Sequence, residues 1–262
     1  MASRQVEAKQ RGRMKKTKII GILPMAGKAT RLQPIGFSKE LYPVVFKGKH
    51  FAISEFNIRS MLMAGADEIR LVVNPDKMDI ARYYARYSSL TPVYFYESPS
   101  LPESCLYTID SLHDDDVCIF GLPDTLFAPI VSHAKLVKTI LSEESDICLG
   151  LFNVTDASKY DSVKLDKNNN VKAVLVKQTP PLSQYIWGIW AARVWVLKIL
   201  KKIIEKQNVE GTEKLLGLGF DILAKNKKIR FKGVKLSNKY FDIGTMDAVL
   251  RANEIINDFK IS

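Results

Sequence analysis

The sequence predicts an α/β fold, and three observations carry that prediction. Short apolar runs alternate with amphipathic stretches through the first half. Turn-bounded strands and two further amphipathic stretches fill the second. The chain has 262 residues, 47% of them hydrophobic, enough to bury a sizeable core. Residues 18–23 (KIIGIL) read as a buried first strand, followed by apolar runs at 69–73, 93–96, 117–120 and 147–152. Helical patterns lie between them, near 54–64, 76–87, 103–112 and 131–141. Strands alternating with helices imply βαβ crossovers and a mostly parallel sheet covered on both faces.

The second half differs in texture. Runs at 162–165 and 171–176 flank DKNNN at 166–170, a strong turn signal, so a hairpin is expected. A tryptophan-rich strand at 186–192 follows, then helices near 194–207 and 213–225. Strands at 229–234 and 239–243 are expected to close the sheet, before a last helix from about 246 to 259. No internal repeat or low-complexity linker divides the chain. The expectation is one domain over residues 17–262 behind a basic leader, residues 1–16.

The net charge is +11, and residues 1–18 carry seven cations against Glu7 alone, a net +6. Such a tail is a solvated, disordered leader or a contact for nucleic acid or another anionic surface; the first reading is preferred and nucleic acid is not the expected partner. The tail lacks the apolar stretch of a secretory signal, and no run elsewhere is long enough to span a bilayer. Cys105, Cys118 and Cys148 share no metal-ligand spacing and lie in apolar surroundings, which points to reduced core thiols and a cytoplasmic protein.

Segment 21–45, GILPMAGKATRLQPIGFSKELYPVV, begins on a strand and breaks into a loop containing Gly27, Lys28, Arg31, Pro34, Gly36 and Lys39. Backbone N–H groups in such a loop can cradle an anion, and its cations can neutralise phosphate charge. An ordinary surface connection has the same composition. The spacing fits neither a P-loop nor a dinucleotide fingerprint. Two aspartates also stand out. Asp124 in FGLPDTLF lies just beyond an apolar strand, where open α/β sheets place ligands. Asp242 lies in YFDIGTMDAVLRAN, before the last helix.

These segments together resemble the sugar-phosphate nucleotidyltransferases. Segment 23–44 is similar to that family's L-A-A-G-x-G-T-R-L-x-P loop and its P-K-x-L-x-P-V continuation. FGLPDTLF is similar to the family's G-D-x-x-F, and 240–253 to its W-x-D-x-G-T-x-x-x-L-x-x-A-N. The resemblance implies a three-layer α/β/α sandwich with a mixed, mainly parallel sheet. It implies that Ala26, Gly27, Lys28, Ala29 and Thr30 wrap a triphosphate, that Arg31 contacts the leaving phosphates, and that Lys39 holds reacting phosphate oxygens. Asp124 and Asp242 would hold Mg2+. VLVKQTP at 174–180 and Gly188 in YIWGIWA resemble the acceptor-binding segments, with Lys177 on the acceptor phosphate.

Four departures accompany the match. Ala29 replaces the second loop glycine and Ser38 the proline before the lysine. Val176 replaces the glutamate that holds sugar hydroxyls, and ESPSLPESCL at 97–106 replaces the usual base-reading turn. In that stretch Ser104 falls near the base, and Glu97 either accepts a hydrogen bond from it or is an exposed strand-end charge. The acidic run 114–116 precedes its strand, unlike a glycosyltransferase D-x-D, and reads as a solvated turn.

The expected activity is transfer of NMP from Mg–NTP to a sugar 1-phosphate, with pyrophosphate released. Val176 also leaves open a non-sugar acceptor such as phosphocholine, and Ala29 a non-catalytic nucleotide-binding relative. Expected partners are an NTP and a phosphorylated small molecule, without a membrane. Members of this family are often homo-oligomers, and nothing in the sequence decides that here.

Overall fold

The computed structural model describes residues 16–28, 35–46, 48–87, 89–207 and 213–258. Nearly all of the basic leader therefore lies outside the described residues. The first strand, β1 (Ile19–Met25), is almost wholly buried. A hairpin follows, β2 (Pro43–Phe46) and β3 (Lys49–Ala52), then α1 (Ile53–Met63), β4 (Glu68–Val73), α2 (Met78–Tyr84), β5 (Val93–Phe95) and α3 (Leu101–Leu106). Next come β6 (Val117–Phe120), β7 (Thr125–Phe127), α4 (Ser132–Leu141) and β8 (Ile147–Asn153). The remainder is β9 (Ser162–Leu165), β10 (Val171–Leu175), β11 (Tyr185–Arg193), α5 (Val194–Glu205), α6 (Leu216–Ala224), β12 (Phe231–Ser237), β13 (Tyr240–Asp242) and α7 (Met246–Asp258).

The main sheet is mixed. β1 lies at its centre, parallel to β4 on one side and β6 on the other, and β5 extends β4 in parallel. β11 runs antiparallel to β6 and β8, and β12 continues from β8 in parallel. The expected β9–β10 hairpin forms, and its turn is the one DKNNN encodes. Asn169 takes φ 59°, the left-handed region asparagine tolerates. The Asp166 carboxylate accepts from the Asn170 side chain and from the Asn168 and Asn170 amides, which lowers its pKa to about 2.

Strand residues alternate between two faces because side chains in a strand have a period of two. Leu23 and Met25 of β1 face one core with Phe56, Phe127 and Phe152; Ile20 and Ile22 face the other with Phe120, Trp190 and Phe220. Phe120 and Trp190 stack with ring centroids 3.7 Å apart. Each such side chain, fully buried, contributes about 1.5–3 kcal/mol. α1 approaches β1 closely because residue 21 is glycine: a Cβ there would lie 2.7 Å from Met61 Sδ. The three cysteines are free and buried, and burial pushes all three thiols up. They are core residues rather than reactive ones, since the thiolate is the nucleophile.

Trp187 and Trp195 are half-buried against the same core as Trp190, so the tryptophans of this region pack rather than line a cleft. The acidic run ahead of β6 is a structural turn. Asp116 accepts from the Lys18 and His113 amides, and Asp114 pairs with Lys198 at 2.6 Å. Among the described residues, no helix is long and apolar enough to cross a membrane.

Three expectations need correction. The strand at 239–243 does not close the main sheet: β13 pairs antiparallel with β7 in a separate ladder. The helix expected over 103–112 is shorter and begins earlier, with only a single 3-10 turn at Ile109–Ser111 continuing it. The helix expected from 213 begins at Leu216.

Candidate active site

β1 ends at Met25 and runs into Ala26, Gly27 and Lys28, while β6 ends at Phe120 and runs into the segment holding Asp124. Because β4 and β6 flank β1 on opposite sides, their connections diverge and leave a crevice at the strand ends. A cavity of about 870 Å³ occupies it. Ala26, Gly27, Lys28, Lys39, Glu97, Ser104 and Asp124, seven of the residues selected from sequence, line that one cavity. Ala29, Thr30 and Arg31 lie outside the described residues. Asp242 is not in the wall, but Gly244 is. Lys177 and Gly188 are not.

The central contact is an ion pair, with Lys39 Nζ 2.5 Å from Asp124 Oδ2. Burial works to lower the Lys39 pKa, yet the Asp124 carboxylate, helped by Glu40 and Asp242, holds it above the ordinary lysine value. Asp242 reaches this place through the β7–β13 ladder. It stands opposite Thr125, and the Ile243 amide donates to the Asp124 carbonyl at 3.0 Å. The Gly244 amide donates to Asp242 Oδ1 at 2.8 Å. Both carboxylates act on the Tyr240 hydroxyl, whose pKa burial, then Asp242 and Asp124, push well up.

The Asp124 segment is held from below. The buried Asn57 of α1 donates through Nδ2 to the carbonyls of Leu122 (2.8 Å) and Thr125 (3.1 Å). Gly121 makes room for it: a Cβ there would lie 2.1 Å from Asn57 Oδ1. His133, fully buried, bonds through Nε2 to the Phe120 carbonyl and through Nδ1 to the Ser60 hydroxyl. Burial lowers its pKa to about 4, so the ring is neutral at pH 7. Sequence reasoning misses Asn57 and His133, because neither sits in a motif and each acts on residues distant in the chain.

At the far wall, Glu97 is exposed beyond β5, and Ser104 is buried in α3. Glu103 accepts from the Ser100 hydroxyl and from Lys214, both at 2.7 Å. On the β9–β11 side, Lys177 is exposed and takes φ 34°. Its backbone amide bonds the half-buried Asp161 carboxylate, which also accepts from Trp187 Nε1 at 3.3 Å. Gly188 faces the Tyr240 ring, and a Cβ there would lie 2.2 Å from that ring.

Among the described residues, no group of three or more His, Cys, Asp or Glu could hold a metal ion by itself. Two hard carboxylates fit magnesium when phosphate oxygens and water complete its shell, since Mg2+ favours few protein ligands. Asp124 and Asp242 offer two carboxylates on adjoining segments, Asp242 standing opposite Thr125 in the β7–β13 ladder.

These features belong to a known class. The model of the nucleotidyl transferase family matches residues 20–258, and the chain belongs to that family of enzymes. Its fold is shared with a Bacillus anthracis protein assigned as a glucose-1-phosphate thymidylyltransferase, solved with sucrose, at 17% identity and a TM-score of 0.78, covering 93% of this chain and 97% of that one. It is shared with a UTP-bound UGPase from Acinetobacter baumannii at 17% identity and a TM-score of 0.74, covering 91% and 93%. An apo UDP-glucose pyrophosphorylase gives 14% identity and a TM-score of 0.77, covering 92% and 99%.

Proposed function

We propose that this enzyme transfers a nucleoside monophosphate from an NTP to a sugar 1-phosphate. The observation that carries the reading is the Lys39–Asp124 pair at 2.5 Å, joined to Asp242 by the β7–β13 ladder at the edge of a cavity of about 870 Å³. An oxygen of the acceptor phosphate attacks the α-phosphorus. A new P–O bond forms, the α–β bridging bond breaks, and pyrophosphate leaves with the electron pair. Positioning and charge neutralisation supply most of the rate in such transfers.

In this reading Lys39 holds reacting phosphate oxygens, Arg31 stabilises the leaving pyrophosphate, and Lys177 receives the acceptor phosphate. Ala26 to Thr30 supply the backbone around the triphosphate, and Glu97 and Ser104 flank the base. Asp124 and Asp242 would hold Mg2+, which supplies charge neutralisation for the phosphates when bound. The names of the fold's neighbours, a thymidylyltransferase for glucose 1-phosphate and a UTP-bound enzyme, support a pyrimidine nucleotide and a hexose phosphate.

A second reading keeps the nucleotide and changes the acceptor to a phosphorylated alcohol such as phosphocholine. Val176, apolar beside Lys177, favours it. Pyrophosphate release with magnesium, for four NTPs against sugar 1-phosphates and phosphocholine, tests both. Turnover with a sugar 1-phosphate supports the first, and turnover with phosphocholine alone replaces it with the second. NTP binding without turnover across the panel removes both acceptors.

A further inference from the structure

We propose that Lys77 is a positioning residue for nucleotidyl transfer, tying together the two ends of the loop that runs from β1 to Lys39. The proposal rests on reading that loop as the nucleotide-binding one. Lys77 stands at the N-cap of α2, and its ammonium bonds two points distant from it in sequence. One is the carbonyl of Met25, the last residue of β1, at 3.2 Å; the other is Glu40 Oε1, at 2.7 Å. Two residues on, Asp79 accepts from the Ser38 amide and from the Ser38 hydroxyl, both at 2.7 Å. One turn thus holds the start of the loop and both neighbours of Lys39.

The pair is unusually dry. Glu40 is 1% exposed, and among the described residues its second oxygen, Oε2, is buried without a hydrogen-bond partner. Burial raises the Glu40 pKa, and Lys77 is the strongest influence in the opposite direction. Buried ion pairs contribute little net stability but fix geometry, because moving either partner strands a charge. Here the fixed geometry is the backbone on either side of Lys39, whose ammonium reaches Asp124. Beside Ser38 and Lys39 lies a second cavity of about 490 Å³, whose lining includes Ile35, Phe37, Lys77, Met78 and Asp79.

The test uses the full chain and three variants, Lys77→Met, Lys77→Arg and the double variant Glu40→Gln/Lys77→Met. Mg–NTP dissociation constants are measured by calorimetry for the four nucleotides, beside thermal midpoints and the kcat and KM of pyrophosphate release. Lys77→Met is expected to weaken binding of the preferred NTP at least tenfold and to lower kcat by a similar factor. Lys77→Arg restores most of both. The double variant, which no longer strands a buried carboxylate, recovers the thermal midpoint without recovering NTP affinity. A purely structural pair would instead recover both together, and that result, or a folded Lys77→Met variant that binds within twofold of wild type, overturns the proposal alone. Wild-type protein that binds none of the four NTPs overturns the nucleotide reading of the loop and this proposal with it.

Discussion

The side of the crevice proposed to take the nucleotide and the region proposed to take the acceptor, which lies outside the cavity wall, are built differently. At the proposed nucleotide end, the charged groups lie beyond the ends of central parallel strands, Lys39 in a 3-10 turn and Asp124 in the segment after β6, and are fixed from behind. Lys39 is bracketed by Ser38 and Glu40, each bonded from the α2 turn, and Asp124 sits in a segment held by Asn57. At the acceptor end, Lys177 follows a hairpin strand at the sheet margin, Val176 is apolar, and Gly188 is covered by Tyr240. In the proposed reaction, triphosphate charge, common to every NTP, is met by one fixed arrangement, whereas Lys177 stands just past a strand at the sheet margin.

The largest test of that contrast is Asp124→Asn or Asp242→Asn. Each is expected to lower kcat for pyrophosphate release about a thousandfold, roughly 4 kcal/mol, while the far-UV spectrum and cooperative unfolding persist. Turnover near wild type in either variant would remove that aspartate from the chemistry.

Next in size is the acid sensitivity of the support beneath Asp124. His133 has its folded pKa depressed to about 4 by burial. Between that value and about 6.5 the unfolded chain binds a proton that the folded one refuses. Its contribution is therefore fully present above about pH 6.5 and is lost as pH falls through about 4, for a total of about 3 kcal/mol. Denaturant titrations from pH 7 to pH 4, with His133→Gln as control, measure it. An equal slope in both proteins would assign the acid loss elsewhere.

Gly188→Ala would carry a disturbance from the acceptor end to the other. The new methyl meets the Tyr240 ring, two residues before Asp242, and is expected to cost about 1–3 kcal/mol of stability. If the two ends are coupled through β13, kcat falls as well; a stability loss with unchanged kcat would show them to be independent.

The smallest expected effect is at Asp161. Burial raises its pKa against the bonds from Trp187 and Lys177. A raised folded pKa means the wild type loses stability as pH rises through that pKa. Asp161→Asn should therefore match or exceed the wild-type thermal midpoint at pH 7, by about 1–2 °C, with the gap closing in acid. A lower midpoint for the variant at pH 7 would make the charged form a net asset.

Where the fold is legible in the sequence, one physical signal is strong. Residues 117–120 and 147–152 are continuous apolar runs, and both are buried strands. The three-residue strand β7 carries too little periodicity to be seen alone, and without it the partner of β13 cannot be read. The hairpin β2–β3 is hidden for a related reason: exposed Lys49 and His50 interrupt its pattern. In the site, Lys39 and Asp124 stand out because each lies in a motif of local spacing. Asn57, Lys77 and Asp79 do not, because their significance lies in partners 37 to 68 positions away, and no local pattern announces such a pair.

The β7–β13 ladder has a consequence for the order in which this molecule becomes an enzyme. Asp242 follows Asp124 by 118 positions (242 − 124), on a strand whose neighbour is β7. Every strand of the main sheet, through β12 at Phe231–Ser237, is synthesised before it. The following helix then docks against β2, where the Asn253 side chain accepts from the Val45 amide at 2.7 Å. A growing chain can thus complete its central sheet before Asp242 is made, and under the proposed roles of the two aspartates chemical competence arrives after the architecture that supports it.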